Sequence, residues 1–347
     1  MIKTGSVPKR VTITDVAKNA GVSIKTVSRV VNKEPNVTDK TRAKVDKAIE
    51  ALGFLPNLSA RSLAGNRSYS VGLLYENPHE FSYMRDVLNG VFKTCTDGGY
   101  SLLLRPCKFP ASQLMKDIRL FLQQVRVDGV ILAAPLGDVK EVVELLQSQG
   151  ILFAQIAPKR ENPDWTWVQS DDLEASNTLT DYIVSLGHKR IGFIKGHPDH
   201  GATRLRYKGY RSSLKRHGIE FDTSLVSPGL FDFESGKKAA YSLLSLEEPP
   251  TAIIASNDDM ASGVIHVAHE LGLKIPESLS VAGFDDTPLA SQLWPRLTTV
   301  KQPIFEMASL VTKLLIDDIR GIIDSDHHEN FAFDLIVRES TARLNKP

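Results

Sequence analysis

The sequence predicts two unlike bodies in one chain: a small all-α head with a helix-turn-helix, joined by a linker that can form a short helix to a bilobed α/β core of two parallel-sheet subdomains. Three observations carry that expectation. The stretch TITDVAKNAGVSIKTVSRVVN, residues 12–32, places two short amphipathic segments around a glycine break. From Tyr69 onward, short apolar runs alternate with longer segments of helical periodicity. Charge divides between the same two regions: residues 1–67 hold thirteen Lys and Arg against five Asp and Glu, whereas the remaining 280 hold 29 against 36. A basic head on an acidic body suits a head that meets phosphate and a body that does not.

In the first helix, Ile13, Val16, Ala17 and Ala20 recur at i, i+3, i+4 and i+7 and share one face. Thr12 is its N-cap, with Asp15 completing a capping box. Gly21 supplies the break and Ser23 a second N-cap. The next helix turns Val27, Val30 and Val31 inward and leaves Ile24, Lys25, Ser28 and Arg29 on the open face. A short helix with a dry back and a polar, cationic front is what a helix-turn-helix presents to the DNA major groove. A third helix, capped by Thr38 and keeping Val45, Ile49 and Leu52 on one side, closes a minimal core. Next comes LPNLSARSLAGNRS, in which Asn57 to Leu63 can form one or two helical turns, too few to persist alone. The boundaries expected are 1–56 for the head, 57–68 for the hinge helix and linker, and 69–347 for the core.

In the core, SVGLLY, YSLLL, DGVILAA, ILFAQIA, RIGFIKG, TAIIAS and LSVAGF read as buried strands. Helical patterns at 81–97, 112–124, 138–149, 172–186, 203–217, 234–246 and 258–272 lie between them. Alternation at this pitch means βαβ units and parallel sheets with helices on both faces. About 280 residues is much for one such sheet, so two lobes with a cleft between them are expected. The N-lobe takes about 69–168 plus 300–325, and the C-lobe about 169–297 plus 328–347.

Composition narrows the class. A hydrophobic content of 42% and a charged content of 24% are those of a globular protein. The two cysteines, Cys95 and Cys107, lack zinc-ligand spacing and fit a reducing compartment. No apolar leader follows MIKTGSVPKR and no run is long enough to span a bilayer, so a cytoplasmic chain with no membrane partner is expected. There is no Gly-rich dinucleotide loop, Walker sequence or Gly-x-Ser-x-Gly. His197 and His200 in GHPDHG, and His327 and His328 in SDHH, read as solvated loop histidines. Neither an enzyme nor a bound metal or cofactor is expected.

Together with ALGFLPNLSARSLAG, SNDDMASGV, VAGFDDTPLA and PRLTTVKQP, in that order, the N-terminal stretch resembles the lactose-repressor (LacI) family of bacterial transcription regulators over nearly the whole chain. The resemblance implies a dimer on a pseudo-palindromic operator and a core like the periplasmic sugar-binding proteins. It also implies a sugar or sugar derivative in the cleft that changes operator affinity. Base-reading positions fall at Ile24, Lys25 and Arg29: the two cations can donate to guanine O6 and N7, and Ile24 can pack on a thymine methyl. Ser23, Thr26, Ser28 and Asn32, with Lys40, Arg42 and Lys44, are the candidates for phosphate contacts. Paired hinge helices would wedge Leu63 into the central base step, with Asn57 and Ala60 on the facing surface. Such a wedge is least costly at a pyrimidine–purine step such as CG.

For the effector, the family segment matched by GATRLRYKGY points to Arg206. VAGFDD and SNDDM put Asp285 and Asn257 at strand ends, with Asp258 as a helix-start residue. A guanidinium, a carboxylate and an amide together suit vicinal hydroxyls. Phe231 matches a position that packs on ligand. Tyr83 and Met84 stand where NPHEFSYM departs from the usual Asn-Pro-Phe-Phe, and Gln155 stands where relatives place a charged or hydroxyl group. Trp165 and Trp167 are expected to pack between the lobes. With few cations beside Arg206, a neutral sugar or glycoside is favoured over a phosphorylated one. The reading is a repressor of sugar-utilisation genes switched by that ligand, with release on binding the commoner sign. The alternative is a cytoplasmic sugar-binding protein or a glycoside-active enzyme on the same core. No leucine heptad follows ESTARLNKP, so a dimer is expected rather than a tail-bundled tetramer.

Overall fold

The computed structural model describes residues 11–31, 37–54, 67–76, 82–109, 111–322 and 328–344. The hinge positions Asn57, Ala60 and Leu63, and the phosphate candidate Asn32, lie outside the described residues. The chain divides into two units, Met1–Ser68 and Tyr69–Pro347.

In the first unit, α1 (Ile13–Ala20) starts in the capping box: the Asp15 N–H donates to Thr12 Oγ1 at 3.4 Å and the Thr12 N–H to Asp15 Oδ2 at 2.8 Å. Gly21 ends it at φ 63°, a left-handed cap that glycine adopts without Cβ strain. At the start of α2 (Ile24–Val31) the Ser23 hydroxyl accepts the Thr26 N–H at 3.1 Å. Thr38 caps α3 (Asp39–Leu52) in the same way. Val16, Val27 and Val45 are fully buried at the centre of the three helices. Ala48 and Phe54 complete this core; the Phe54 N–H reaches back to the Ile49 carbonyl past the Gly53 cap, which folds its ring onto the bundle.

The second unit is built on two six-stranded sheets. The first has the order β11-β5-β4-β3-β1-β2 and is parallel throughout. Its strands are β1 (Ser70–Glu76), β2 (Ser101–Cys107), β3 (Gly129–Ala133), β4 (Leu152–Ile156), β5 (Thr166–Ser170) and β11 (His328–Phe331). The second has the order β12-β10-β9-β8-β6-β7 and comprises β6 (Ile191–Ile194), β7 (Val226–Ser227), β8 (Ala252–Ala255), β9 (Ser280–Asp285), β10 (Thr298–Lys301) and the antiparallel edge strand β12 (Asp334–Ile336). Strands such as β3, β6, β8 and β9 are buried along their whole length. That is why they read as unbroken apolar runs rather than alternating ones.

Helices cover both faces. On the first sheet lie α4 (Ser82–Gly98), α5 (Ala111–Gln124), α6 (Lys140–Ser148) and, from far along the chain, α12 (Ile304–Arg320). On the second lie α7 (Asp172–Ser185), α8 (Gly201–Arg216), α9 (Phe233–Leu244), α10 (Asp258–Glu270) and the short α11 (Pro288–Gln292). The chain passes between the lobes three times: at Ser170–Asp172, between Lys301 and Ile304, and between Phe331 and Asp334. The expected lobe limits shift accordingly. Residues 300–301 belong to the second lobe, because Thr298–Lys301 pair with Ala282–Asp285; residues 328–331 belong to the first, because they pair with Trp167–Ser170. Both tryptophans pack inside the first lobe rather than between lobes. Trp165 meets Phe153 edge-on at 5.3 Å, while Trp167 stacks on His328 at 4.9 Å and donates to the Asn162 carbonyl.

Asp258 fastens the end of the second sheet. It is fully buried at the start of α10, accepting from the Thr287 N–H and hydroxyl through Oδ2 and from the Thr299 hydroxyl through Oδ1. A Cβ on Gly283 would stand 2.5 Å from that Oδ1, so glycine leaves the room the carboxyl needs. Burial, then the charge of Asp285, holds the Asp258 carboxyl well above its usual range. The folded protein therefore keeps a proton that the unfolded chain gives up, and stability falls as pH rises from the ordinary carboxylate range towards the raised value. Asp258→Asn should flatten that slope and unfold within about 1 kcal/mol of the native chain. Asp258→Ala, which strands the Thr287 N–H and two hydroxyls, should cost about 2–3 kcal/mol. Thermal unfolding over a pH series checks both.

Candidate functional site

Between the two sheets, at the carboxyl ends of their strands, lies a cleft of about 330 Å³. Such a crevice is where open parallel sheets hold ligands. Its floor is built around Arg206, which α8 projects inward and which is 4% exposed. The Arg206 Nε donates to Asp172 Oδ1 at 2.7 Å, Nη1 to the Ser256 carbonyl and Nη2 to Asp285 Oδ1 at 3.4 Å. Its guanidinium plane lies 3.7 Å from the Phe284 ring centre. Burial opposes the charge on Arg206, yet Asp172 and Asp285 outweigh it and hold its pKa above the ordinary value. The Gln302 amide adds a 2.7 Å hydrogen bond to Asp285. Burial still raises the Asp285 carboxyl, against the pull of Arg206 and Gln302.

The wall is aromatic and imidazole. Phe231 faces the cleft 5.9 Å from the Arg206 guanidinium and meets His200 edge-on at 5.3 Å. Gly196 makes room for it: a Cβ there would fall 2.0 Å from the Phe231 ring. Three wall residues, Ala157, Phe231 and Asp285, have φ of 51°, 66° and 105°. Those conformations cost energy for residues with a Cβ, and the packing around a site holds them. From the first lobe, α4 brings Tyr83 and Met84 to the cleft. Burial, then the Asp285 and Asp172 carboxylates, pushes the Tyr83 phenol up, so it stays a neutral donor. Two polar contacts join the lobes at the mouth: Ser82 Oγ donates to Asp259 Oδ1 at 2.9 Å, and His200 Nε2 stands 3.4 Å from Glu76 Oε2. The hydrogen bond from His200 lowers the Glu76 carboxyl against its burial, and the charges of His200 and His197 add to it.

Of the residues read from the sequence, Tyr83, Met84, Arg206, Phe231, Asn257 and Asp285 line this cleft. Asn257 does so with its amide already engaged: Oδ1 caps α10 at the Met260 N–H and Nδ2 donates to the Phe231 carbonyl. Gln155 does not line it. It is buried beside Gly137, whose carbonyl accepts its Nε2 at 2.7 Å, because β4 turns this side chain under the loop that follows β3. His197 and His200 are cleft residues rather than solvated loop histidines, and His328 begins a strand. Sequence reasoning missed Asp172, Gln302 and Glu76. The first two sit on crossings between the lobes, and all three stand at or within two residues of the carboxyl end of a strand, the position where such sheets carry function.

On the head, α2 presents Ile24, 49% exposed, and Lys25 to solvent, with Thr26, Ser28 and Arg29 half-buried beside them. The Ser23 and Thr26 hydroxyls are hydrogen-bonded to each other at 2.9 Å. No helix among the described residues is long and apolar enough to cross a membrane.

A helix-turn-helix head and a separate core with a polar-floored cleft between two largely parallel sheets define a DNA-binding regulator that responds to a small ligand. Comparison with known proteins gives the family. Residues 12–57 match the model of bacterial regulatory proteins of the lacI family, and residues 180–341 match that of the periplasmic binding protein-like domain. The ribose operon repressor of Escherichia coli (strain K12) is 34% identical over 313 residues, 89% of this chain and 93% of the repressor. Among solved structures, the transcriptional regulator CelR in complex with cellobiose superposes with a TM-score of 0.73 at 30% identity, covering 95% of this chain and 100% of that one. The lac repressor dimer bound to operator and the anti-inducer ONPF gives 0.75 at 26% identity, covering 96% and 100%. The chain belongs to the LacI family of bacterial transcription regulators.

Two outcomes follow from the cleft's electrostatics. Arg206→Ala leaves two buried carboxylates facing each other and should lower stability by about 3–5 kcal/mol, whereas Arg206→Lys, which keeps the charge and loses the fork, should restore part of it. The Glu76 pKa is depressed in the folded protein, so its contribution is present above the ordinary carboxylate value and lost as pH falls through the folded one. Glu76→Gln should remove about 0.5–1 kcal/mol near neutrality and abolish that acid-side loss. Denaturant unfolding at stepped pH measures each.

Proposed function

We propose that this chain represses sugar-utilisation genes by binding a pseudo-palindromic operator as a homodimer, and that a neutral sugar or glycoside in the cleft releases it. The observation that carries the ligand reading is the charge of the lining. Among the described residues, five carboxylates (Glu76, Asp172, Asp232, Asp259 and Asp285) surround a single guanidinium, Arg206, already shared between two of them. A phosphate or uronate would meet that surface with repulsion, whereas hydroxyls can both donate to carboxylates and accept from Arg206, Asn257 or Tyr83. The cellobiose held by CelR is a ligand of this neutral class. Met84 and Phe231 offer apolar surface to a sugar ring.

Ile24, Lys25 and Arg29 read bases, Arg29 through the bidentate fork that guanine accepts; Ser23, Thr26, Ser28 and Asn32 hold phosphates. Asn57, Ala60 and Leu63 enter the minor groove as one of a pair, Leu63 wedging the central step. Ligand closure of the lobes shifts the ends of the core from which the hinges start, and the hinges melt. The chain acts in the cytoplasm as a binding protein, without catalysis and without a cofactor.

Selection of duplexes from a random pool by the purified full chain, with and without a panel of simple sugars, tests this directly. A palindrome with a central CG step, lost when one neutral sugar is added, is the expected result. A single half-site, or loss with phosphorylated sugars only, would overturn the dimer or the ligand class respectively. Arg29→Ala should cost about 1–3 kcal/mol of operator affinity and relax the preference at one base pair.

A further inference from the structure

The helix that supplies Arg206 carries a second chemistry on its outer side. Its sequence, GATRLRYKGYRSSLKR, holds six cations and no carboxylate. Arg206 and Arg216 are ion-paired, to Asp172 with Asp285 and to Asp181. The other four, Arg204, Lys208, Arg211 and Lys215, recur at i, i+4, i+7 and i+11 on one exposed face, and among the described residues none has a carboxylate within ion-pair distance. Like charges at that spacing repel, and Arg204 in the first turn also faces the positive end of the helix dipole. Helix stability therefore does not account for the stripe. It borders a surface groove of about 740 Å³ that shares no residue with the effector cleft, and whose only acidic lining residue among the described residues is Glu220. Half-buried Tyr207, Ile219 and Phe221 form its apolar side.

We propose that this stripe docks an acidic segment of a partner protein, with an apolar side chain of that segment seated against Ile219. Carboxylates on one face of an extended peptide recur every ~7 Å, a spacing that long lysine and arginine side chains one helical turn apart can meet. Nucleic acid fits less well, for two reasons. Lys195 Nζ lies 4.1 Å over the Tyr207 ring and the Arg211 guanidinium 4.7 Å over Phe221, so the aromatic faces that bases would stack on are already covered. The chain beyond residue 67 also has seven more acidic than basic residues, which repels a long polyanion. A short peptide feels only the stripe, within a Debye length of about 8 Å.

The test is fluorescence anisotropy of the full chain with a fluorescein-labelled peptide of alternating Glu and Ser around one central Leu. Binding at low salt that weakens as salt rises is expected, with no binding of the same peptide carrying Gln for Glu. Lys208→Glu combined with Arg211→Glu should weaken binding about tenfold or more, and the corresponding double Gln variant by less. Because both changes relieve repulsion, the unfolding temperature should hold or rise, which separates a lost contact from a lost fold. Equal binding by the native and charge-reversed chains, or none by the native chain at low salt, would overturn the proposal. So would a charge reversal that weakens binding of a non-operator duplex and leaves the peptide unaffected, since the stripe would then serve nucleic acid.

Discussion

The structure depends on one buried guanidinium. Arg206 would be costly to hold away from water alone, and each partner that offsets the cost comes from a different part of the second lobe or its borders. Asp172 stands at the first crossing between lobes, Ser256 beyond β8, and Asp285 at the tip of β9; Gln302, at the second crossing, holds Asp285 in turn. The cluster thus fixes two of the three crossings to the sheet edge that forms the cleft floor. A hydroxylic ligand seated there competes for hydrogen bonds that also position the connecting segments. That links occupancy to lobe geometry through named atoms, rather than through a general softness of the fold.

Beside the cleft, strain and closure work on the same residues. Phe231 and Asp285 hold positive φ, Phe231 presses on Gly196, and His200 reaches from the second lobe to Glu76 of the first. Such conformations persist only where the surrounding packing holds them, so the wall's shape is set by its neighbours in the second lobe.

Much of this was legible in the sequence, and the reasons are local. Capping at Thr12 and Thr38, the Gly21 break and the valine spacing of α1 and α2 depend on neighbours three or four residues away, and the observed helices start and stop where those signals stand. Buried parallel strands showed as apolar runs because both their faces are covered. The remainder depends on pairing distant in the chain. Nothing near Asp172 or Gln302 marks them as partners of Arg206 and Asp285. Gln155 reads like its cleft-lining neighbours until the carbonyl of Gly137 is placed beside it. The histidines of GHPDHG looked like surface loop residues because the element they face, Glu76 at the end of β1, lies more than a hundred residues earlier. The lobe limits near 300 and 328 were misplaced for the same reason: a four-residue strand shows no sign of which sheet it will join.

The triple passage of the chain between the lobes also bears on how the protein is made. The core of the first lobe includes Ile304, Met307, Val311 and Leu315 of α12, and its sheet is completed by β11 at residues 328–331. Neither lobe is a continuous stretch of chain, so the first cannot finish folding when its opening hundred residues leave the ribosome. Until residues 304–331 have emerged, the apolar face awaiting α12 is uncovered and the outer edge of β5 has no strand beside it. Contacts of such long sequence separation form slowly, and a nascent chain with an open strand edge is prone to aggregate. For this architecture, exposure to aggregation during synthesis is a consequence of topology, separate from the stability of the finished molecule.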